Sequence, residues 1–138
     1  MIESLLLTTA TVQEIQLELL RRTTFNALDG ERVAASLLAH RELWLAVLLD
    51  RAGLPDYSKP SRLLLLGLIK LRDLPDNFWN ADTLFVLTET WAQAGQLARI
   101  AEEEDWGGEV YVHKSQEEID RALGTGRDEY GLLTVWWD

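Results

Sequence analysis

The chain has 138 residues, no cysteine and a formal net charge of −10. This length predicts one domain over residues 1–138. The lack of cysteine excludes disulfides, thiolate nucleophiles and cysteine-ligated metal sites. No apolar run reaches the roughly 18 residues that a membrane-spanning helix needs, and the first residues lack the basic segment of a signal peptide. We therefore expect a cytoplasmic protein that does not enter a membrane.

The negative charge is concentrated in the C-terminal half. Residues 74–138 hold fourteen Asp and Glu against four Lys and Arg, a balance of −10, whereas residues 1–73 hold nine of each sign. An acidic surface repels phosphate backbones and speeds the approach of basic proteins. We therefore expect no nucleic acid to bind through this half, and we expect a basic protein partner. The alternative is that the charge only keeps the protein soluble.

The N-terminal half has the pattern of three helices. A capping box at Thr11–Glu14, followed by apolar residues at helical spacing, predicts a helix to about Arg22. Asp29 is the predicted N-cap of a longer helix that continues to Arg51 or the next residue. A third helix is predicted over residues 62–72, capped by the preceding serine.

The C-terminal half alternates strands and helices. The predicted strands cover residues 83–88, 109–113 and 131–137. Capping boxes at Thr90 and Ser115 begin the helices between them. Because strand–helix–strand units need a crossover, which joins parallel strands, we expect a mainly parallel sheet.

The predicted architecture is therefore an α/β fold. An N-terminal three-helix segment (residues 11–73) packs on a small, mainly parallel β-α-β-α-β sheet of three strands (residues 82–138). Residues 2–9 fit either a strand or the lead-in of a helix, and residues 4–8 are the candidate for a fourth strand.

Several common active-site motifs are absent from the sequence. The turn after the first predicted strand, Leu87–Trp91, contains no glycine, which disfavours a phosphate-binding loop. His40 and His113 are the two histidines, and they lie far apart along the chain. His40 is expected to be a structural residue of its helix. We expect neither a metal nor a cofactor.

One candidate site is the edge of the sheet where the strands end. The carboxyl ends of parallel strands form the ligand-binding edge of open α/β sheets. Glu89 and His113 are the candidate acid and base there, and Lys114 is a candidate anion ligand. The alternative is that Thr90 and Ser115 cap helices, while Glu89 and His113 are ordinary loop residues. The predicted ligand-binding residues are Thr88, Glu89, Thr90, His113, Lys114 and Ser115.

The six tryptophans suggest a contact surface. Trp136 and Trp137 are adjacent on the last predicted strand, so their side chains point to opposite faces of the sheet. If both faces are covered, both indoles are core. If one face is open, an exposed indole there predicts a subunit interface and a homodimer. Trp79, in a predicted turn, is a further candidate interface residue.

Three hypotheses for the function follow. The first is a non-catalytic interaction or regulatory module that self-associates and uses its acidic half. The second is a small-molecule-binding domain or enzyme with the strand-end site described above. The third is an acidic inhibitor of the immunity or DNA-mimic type, which requires carboxylates spaced like phosphates. The absence of a nucleophile or metal motif favours the first hypothesis and leaves catalysis open.

Overall fold

Helices and strands alternate along the part of the chain that the computed structural model describes, which comprises residues 7–25, 27–50, 75, 81–124 and 129–137. In chain order these elements are α1 (Val12–Arg21), β1 (Thr24–Phe25), β2 (Leu28–Asp29), α2 (Gly30–Ala39), a 3-10 helix (Arg41–Leu43), β3 (Ala46–Asp50), β4 (Thr83–Thr88), α3 (Trp91–Glu103), β5 (Glu109–Val112), α4 (Gln116–Leu123) and β6 (Gly131–Trp136). The predicted α/β class is confirmed.

The predicted helix starts are confirmed at atomic detail. Thr11 and Thr90 each accept a hydrogen bond from the third helical backbone N–H through the side-chain hydroxyl. The Glu or Gln side chain at that third position accepts one in turn from the backbone N–H of the cap residue. Asp29 and Ser115 cap α2 and α4 in the same way from the cap side chain. Because a cap involves residues only three apart, local sequence is sufficient to place it.

The prediction of a mainly parallel sheet is wrong. The main sheet has four strands in the order β3-β4-β6-β5, and every neighbouring pair is antiparallel. β4 and β5 run in the same direction, as the crossover through α3 requires, but β6 lies between them and pairs with both. The last strand of the chain therefore converts what would be a parallel pair into two antiparallel pairs.

The prediction of a three-helix N-terminal segment is also wrong. The second helix ends at Ala39, and the chain continues through the 3-10 helix into β3. Trp44 has an extended backbone, and its indole N–H donates to the Leu37 carbonyl at 2.7 Å. In β3 the side chains alternate, with Val47 and Leu49 buried and Leu48 exposed. The apolar run therefore supplies a strand instead of the last two turns of a helix.

Some predicted elements lie outside the described residues. The predicted helix over 62–72 and Trp79 belong to this group, as does most of the candidate fourth strand over residues 4–8. Residues 7–9, at its end, form a turn. The fourth strand of the sheet is instead β3.

The hydrophobic core lies on one face of the four-stranded sheet. Leu84, Val86, Leu133 and Val135 point to this face and are fully buried. α1 packs against α2 and β3, and α3 packs against β4, β5 and β6. The core therefore occupies a single layer between the sheet and these helices, with the remaining side chains of the strands on the second face, which we call the outer face.

Candidate functional site

The topology brings two of the three predicted strand ends to one edge of the sheet. β4 ends at Thr88 and β5 ends at Val112, beside the point where β6 begins at Gly131. The third end, at Trp137, lies at the opposite edge because β6 runs the other way. The residues that follow β4 and β5 therefore lie together at this end of the sheet, which we call the strand-end edge to distinguish it from the lateral edges formed by β3 and β5. The end of the chain does not contribute to it.

Close packing fills the strand-end edge next to β4. Thr88 is buried, and its hydroxyl donates to the Thr90 carbonyl at 2.6 Å. A Cβ added at Gly131 would lie 2.3 Å from Thr88 Oγ1 and 2.5 Å from the Thr90 carbonyl oxygen. Such distances are shorter than van der Waals contact, so the glycine is required for β6 to approach this turn. The Thr88 hydroxyl is thus buried and hydrogen-bonded within the protein, where it stabilises the turn after β4.

The remaining polar residues of this edge are exposed or hold helix caps. The Glu89 side chain is exposed, and its backbone N–H donates to Gln93 Oε1 at 3.1 Å. Lys114 is exposed beside Ser115, whose hydroxyl accepts from the Glu118 N–H. Thr90 and Ser115 therefore have the capping role that the alternative interpretation predicts.

His113 is the most constrained residue of the strand-end edge. Its Nε2 lies 2.7 Å from Thr134 Oγ1, and its carbonyl accepts from the Trp91 indole at 3.2 Å. The Tyr111 ring lies edge-on to the imidazole at 4.8 Å between centroids. Partial burial lowers the pKa of His113 below its usual value, and the negative charge of Glu118 opposes this effect in part. Partial burial therefore favours the neutral form of the ring.

The two tryptophans at the end of β6 have different environments. Trp136 points to the outer face and is 37% exposed. Trp137 points to the core, is fully buried, and donates its indole N–H to the Trp106 carbonyl at 2.7 Å. The predicted opposite orientation of the pair is present, and Trp136 is the member that a partner can reach.

Exposed apolar side chains form a row across the outer face. The antiparallel register aligns Leu48, Phe85, Thr134 and Tyr111 directly across the four strands. Leu48 is 46% exposed at one end of the row and Tyr111 is 57% exposed at the other, with half-buried side chains between them. Trp136 occupies the next row, between Thr83 on β4 and Glu109 on β5, and Asp50 is at the far end of that row.

The β3 edge of the sheet is closed by the side chains of α1. Gln13 donates to the Val47 carbonyl at 3.1 Å and accepts from the Val47 N–H at 2.8 Å. Gln16 accepts from the Leu49 N–H at 3.0 Å. These amides take the place that a further strand would occupy, which protects the edge from pairing with another chain.

The β5 edge has no such cover within the described residues. The His113 N–H donates to the Leu132 carbonyl of β6, so the alternation of an antiparallel ladder directs the backbone groups of Val110 and Val112 away from the sheet. In the described ranges, neither valine has a hydrogen bond on that side. β5 is therefore the edge at which another strand can be added.

Part of the acidic run at the end of α3, residues 102–105, contacts α2 and the residue that follows it. The Glu104 carboxylate accepts from Ser36 Oγ at 2.8 Å and lies 2.7 Å from His40 Nε2. The hydrogen bond from Ser36, followed by that of His40, lowers the pKa of Glu104 below its usual value. Arg32 lies 3.5 Å from Asp105 Oδ2. His40 therefore has the structural role predicted for it. All four acidic side chains of the run, at residues 102–105, are exposed.

The described ranges contain no group of three or more His, Asp or Glu side chains that could hold a metal ion. They also contain no helix with the length and hydropathy needed to cross a bilayer. The exposed large apolar side chains of this part of the chain include Leu48, Tyr111 and Trp136 on the outer face, together with Val12 and Trp91 on helices.

Sequence analysis missed Tyr111, Leu48 and the two glutamines of α1. The alternation Glu-Val-Tyr-Val-His over residues 109–113 is a signal for a strand with one exposed face, and it contains Tyr111. No comparable signal marks Gln13 and Gln16, because their role depends on where α1 lies against β3.

Comparisons of the chain with protein-family models, with curated proteins and with solved structures found no match. The functional proposal below therefore depends on the geometry of this chain alone.

Proposed function

We propose that the protein is a non-catalytic interaction module that self-associates and uses its outer face to bind a basic segment of a protein partner. The observation that carries this proposal is the exposure of Leu48, Tyr111 and Trp136 on one face of the sheet. Exposed aromatic residues that are held rigidly by a sheet are typical of the central contacts in protein interfaces.

The charges around Trp136 favour a basic partner. Asp50 and Glu109 lie at the two ends of the row that contains this indole. A partner Arg or Lys that stacks on an indole gains cation–π attraction, and a carboxylate nearby adds a charge-assisted hydrogen bond. The acidic balance of residues 74–138 acts in the same direction at longer range.

A titration followed by NMR tests the basic-partner part of this proposal. The probe is a short peptide of alternating Arg and Leu, and the matched peptide has Glu in place of Arg. We expect the Arg peptide to shift the Trp136 indole signal and the amide signals around Leu48 and Tyr111, and the Glu peptide to leave them unchanged.

Two variants serve as controls for that titration. Trp136→Ser removes the indole and should abolish the shifts. Leu38→Ser removes a side chain of nearly equal exposure, 38%, from α2 and should leave them intact. Equal shifts with both peptides, or shifts that map away from the outer face, would contradict the proposal.

Self-association is tested by light scattering. The proposal expects the molar mass to rise from one chain toward two as the protein concentration increases. A mass of one chain, 15.7 kDa, at every concentration up to about 1 mM would contradict this part of the proposal, because an association weaker than about 4 kcal/mol would be too weak for a homodimer.

A second candidate function is a small-molecule site with acid–base chemistry at the strand-end edge. The observation that favours it is the placement of His113 at this edge, with its Nε2 2.7 Å from Thr134 Oγ1. Burial lowers the pKa of His113, which favours the neutral form that can accept a proton. Glu89 and Lys114 are exposed at the same edge. If this function is correct, Glu89→Gln and His113→Ala abolish ligand-induced stabilisation in a thermal-shift screen while the unliganded protein stays folded.

A further inference from the structure

The edge of β5 that faces away from β6 has backbone groups available to pair with another strand. Val110 and Val112 direct their N–H and C=O groups away from β6. The opposite edge of the same sheet has its corresponding groups bound by Gln13 and Gln16. A strand added to this sheet would therefore lie along β5.

The sequence of β5 is complementary to itself when it is reversed. The segment Glu109–His113 reads Glu-Val-Tyr-Val-His, with an acid at one end, a base at the other and a symmetric centre. In an antiparallel pair about Tyr111, the two tyrosines face each other and each Val110 faces Val112 of the partner subunit. Each Glu109 then faces His113 of the partner subunit.

We infer that two copies of this chain associate by antiparallel pairing of β5 with β5, about a two-fold axis at Tyr111. This inference rests on the self-association proposed above and assigns its interface. The pairing forms four backbone hydrogen bonds between the valines and joins two four-stranded sheets into one of eight strands.

The side chains of the outer face support this register. Tyr111 and Glu109 are exposed on that face, and His113 lies beside Tyr111 with their rings 4.8 Å apart. Residues of a non-hydrogen-bonded antiparallel pair have Cα atoms about 4.5 Å apart, which brings their side chains into contact. The register therefore produces one aromatic pair, which stabilises neighbouring strands, and two Glu–His pairs, in which the carboxylate accepts a ring N–H and favours the protonated imidazole.

Alternative registers lack this complementarity. A two-fold axis at Val110 places Tyr111 opposite Glu109 of the partner subunit, and an axis at Val112 places it opposite His113 of the partner subunit. Neither brings the acid opposite the base. A different protein strand could also occupy this edge, but it would need to supply an imidazole opposite Glu109 and a carboxylate opposite His113, which a second copy already carries.

Mixed cysteine cross-linking tests both the interface and the register. The chain has no cysteine, so each variant contains a single thiol. Glu109→Cys and His113→Cys proteins are prepared separately, mixed, and oxidised with a glutathione redox pair. We expect a disulfide heterodimer, because a facing pair about 4.5 Å apart falls within the roughly 4.4–6.8 Å that a disulfide spans between Cα atoms.

Each variant alone is the matched control for the mixture. In the inferred register the two residues at position 109 are about 14 Å apart, since four residues of strand separate them. The same holds for position 113. We expect the mixture to form disulfides at least about tenfold faster than either variant alone, because only the mixture places two thiols in reach of each other. Leu48→Cys, on the closed edge, should form disulfides as slowly as either single variant.

Light scattering on the wild-type chain separates failure of this inference from failure of the proposed function. A wild-type dimer with a fast mixed cross-link supports the inference. A wild-type dimer whose mixture cross-links no faster than the single variants overturns the β5 interface and leaves self-association standing. A wild-type monomer at all concentrations overturns both. Faster cross-linking of Val110→Cys or Val112→Cys alone would overturn the register.

Discussion

The two lateral edges of the main sheet differ in whether their outward backbone groups are hydrogen-bonded. At β3, α1 lies along the strand, and Gln13 and Gln16 bind the backbone groups that point outward. At β5, α3 packs on the face of the strand, and in the described ranges nothing binds the outward groups of Val110 and Val112. An open edge in a sheet whose other edge is closed marks the side from which the protein can recruit another strand.

The largest expected effect comes from proline at two neighbouring positions of β5. Tyr111 directs its N–H to β6 and Val110 directs its N–H outward. Tyr111→Pro should therefore lower the free energy of unfolding by about 2–3 kcal/mol, because it removes a ladder hydrogen bond and leaves its acceptor on β6 unpaired. Val110→Pro should lower it by only about 1 kcal/mol, from lost apolar packing, and should leave the protein monomeric. Urea denaturation and light scattering measure the two effects. Equal destabilisation by both prolines would contradict the assigned outward direction of Val110.

A smaller effect is expected when the β3 edge is opened. Gln13→Ala removes two hydrogen bonds to Val47, each worth about 1 kcal/mol, so the free energy of unfolding should fall by about 2 kcal/mol. The freed backbone should also promote association through β3. Gln96→Ala, at an exposed position of α3, is the matched control and should change stability by no more than about 0.5 kcal/mol. If the two variants are equally stable, the edge is not held by the glutamine.

Acid should also destabilise α1, the helix that closes the β3 edge, because Glu18 pairs with Arg21 and Arg22 at the end of this helix. The hydrogen bond from Arg21, with further help from Arg22, lowers the pKa of Glu18 from 4.5 to about 2, against the opposing effect of burial. A folded-state pKa below the unfolded value means that the stabilisation is complete above pH 4.5 and is lost as the pH falls toward 2.

The test for Glu18 is a comparison of urea denaturation at pH 5 and pH 3. Wild-type protein should lose about 1 kcal/mol more than Glu18→Gln over this interval, a modest value because both arginines are partly exposed. Glu14→Gln controls for a second carboxylate of α1 whose pKa is also lowered, by its capping hydrogen bonds with Thr11. If the free energy of unfolding falls equally in wild-type and Glu18→Gln protein between pH 5 and pH 3, Glu18 is not the cause of the acid sensitivity.

The sequence was informative where structure depends on neighbours along the chain. The caps at Thr11 and Thr90 and the strand over 83–88 were predicted correctly, because each depends on a few consecutive residues. The apolar run that forms β3 was assigned to a helix, since a short apolar run fits either period. Its partner β4 begins more than thirty residues later, and only that pairing makes it a strand.

The sheet order and the candidate surfaces likewise depend on contacts between residues that are far apart in the sequence. Adjacent strand–helix–strand units predicted parallel neighbours, but the insertion of β6 between β4 and β5 is set by packing of the whole chain. Five of the six predicted strand-end residues have structural or solvent-exposed positions, namely Thr88, Glu89, Thr90, Lys114 and Ser115. The closed edge could not be predicted, because it requires α1 to lie against β3.

The smallest expected effect concerns His113 at the open edge, and its sign depends on association. In the monomer, burial lowers the His113 pKa below 6.5, so the folded state binds fewer protons than the unfolded chain, and stability falls as the pH drops below 6.5. Thr134, Tyr111 and the opposing charge of Glu118 face the ring in that state. In the dimer inferred above, Glu109 of the partner subunit is added, and it favours the protonated ring. The His113 pKa, followed by its ring proton signals in NMR, should therefore rise with protein concentration in the wild-type chain and stay constant in Glu109→Gln. A pKa that is independent of concentration in a chain shown to dimerise would place Glu109 away from His113, and would argue for a register other than the one centred on Tyr111.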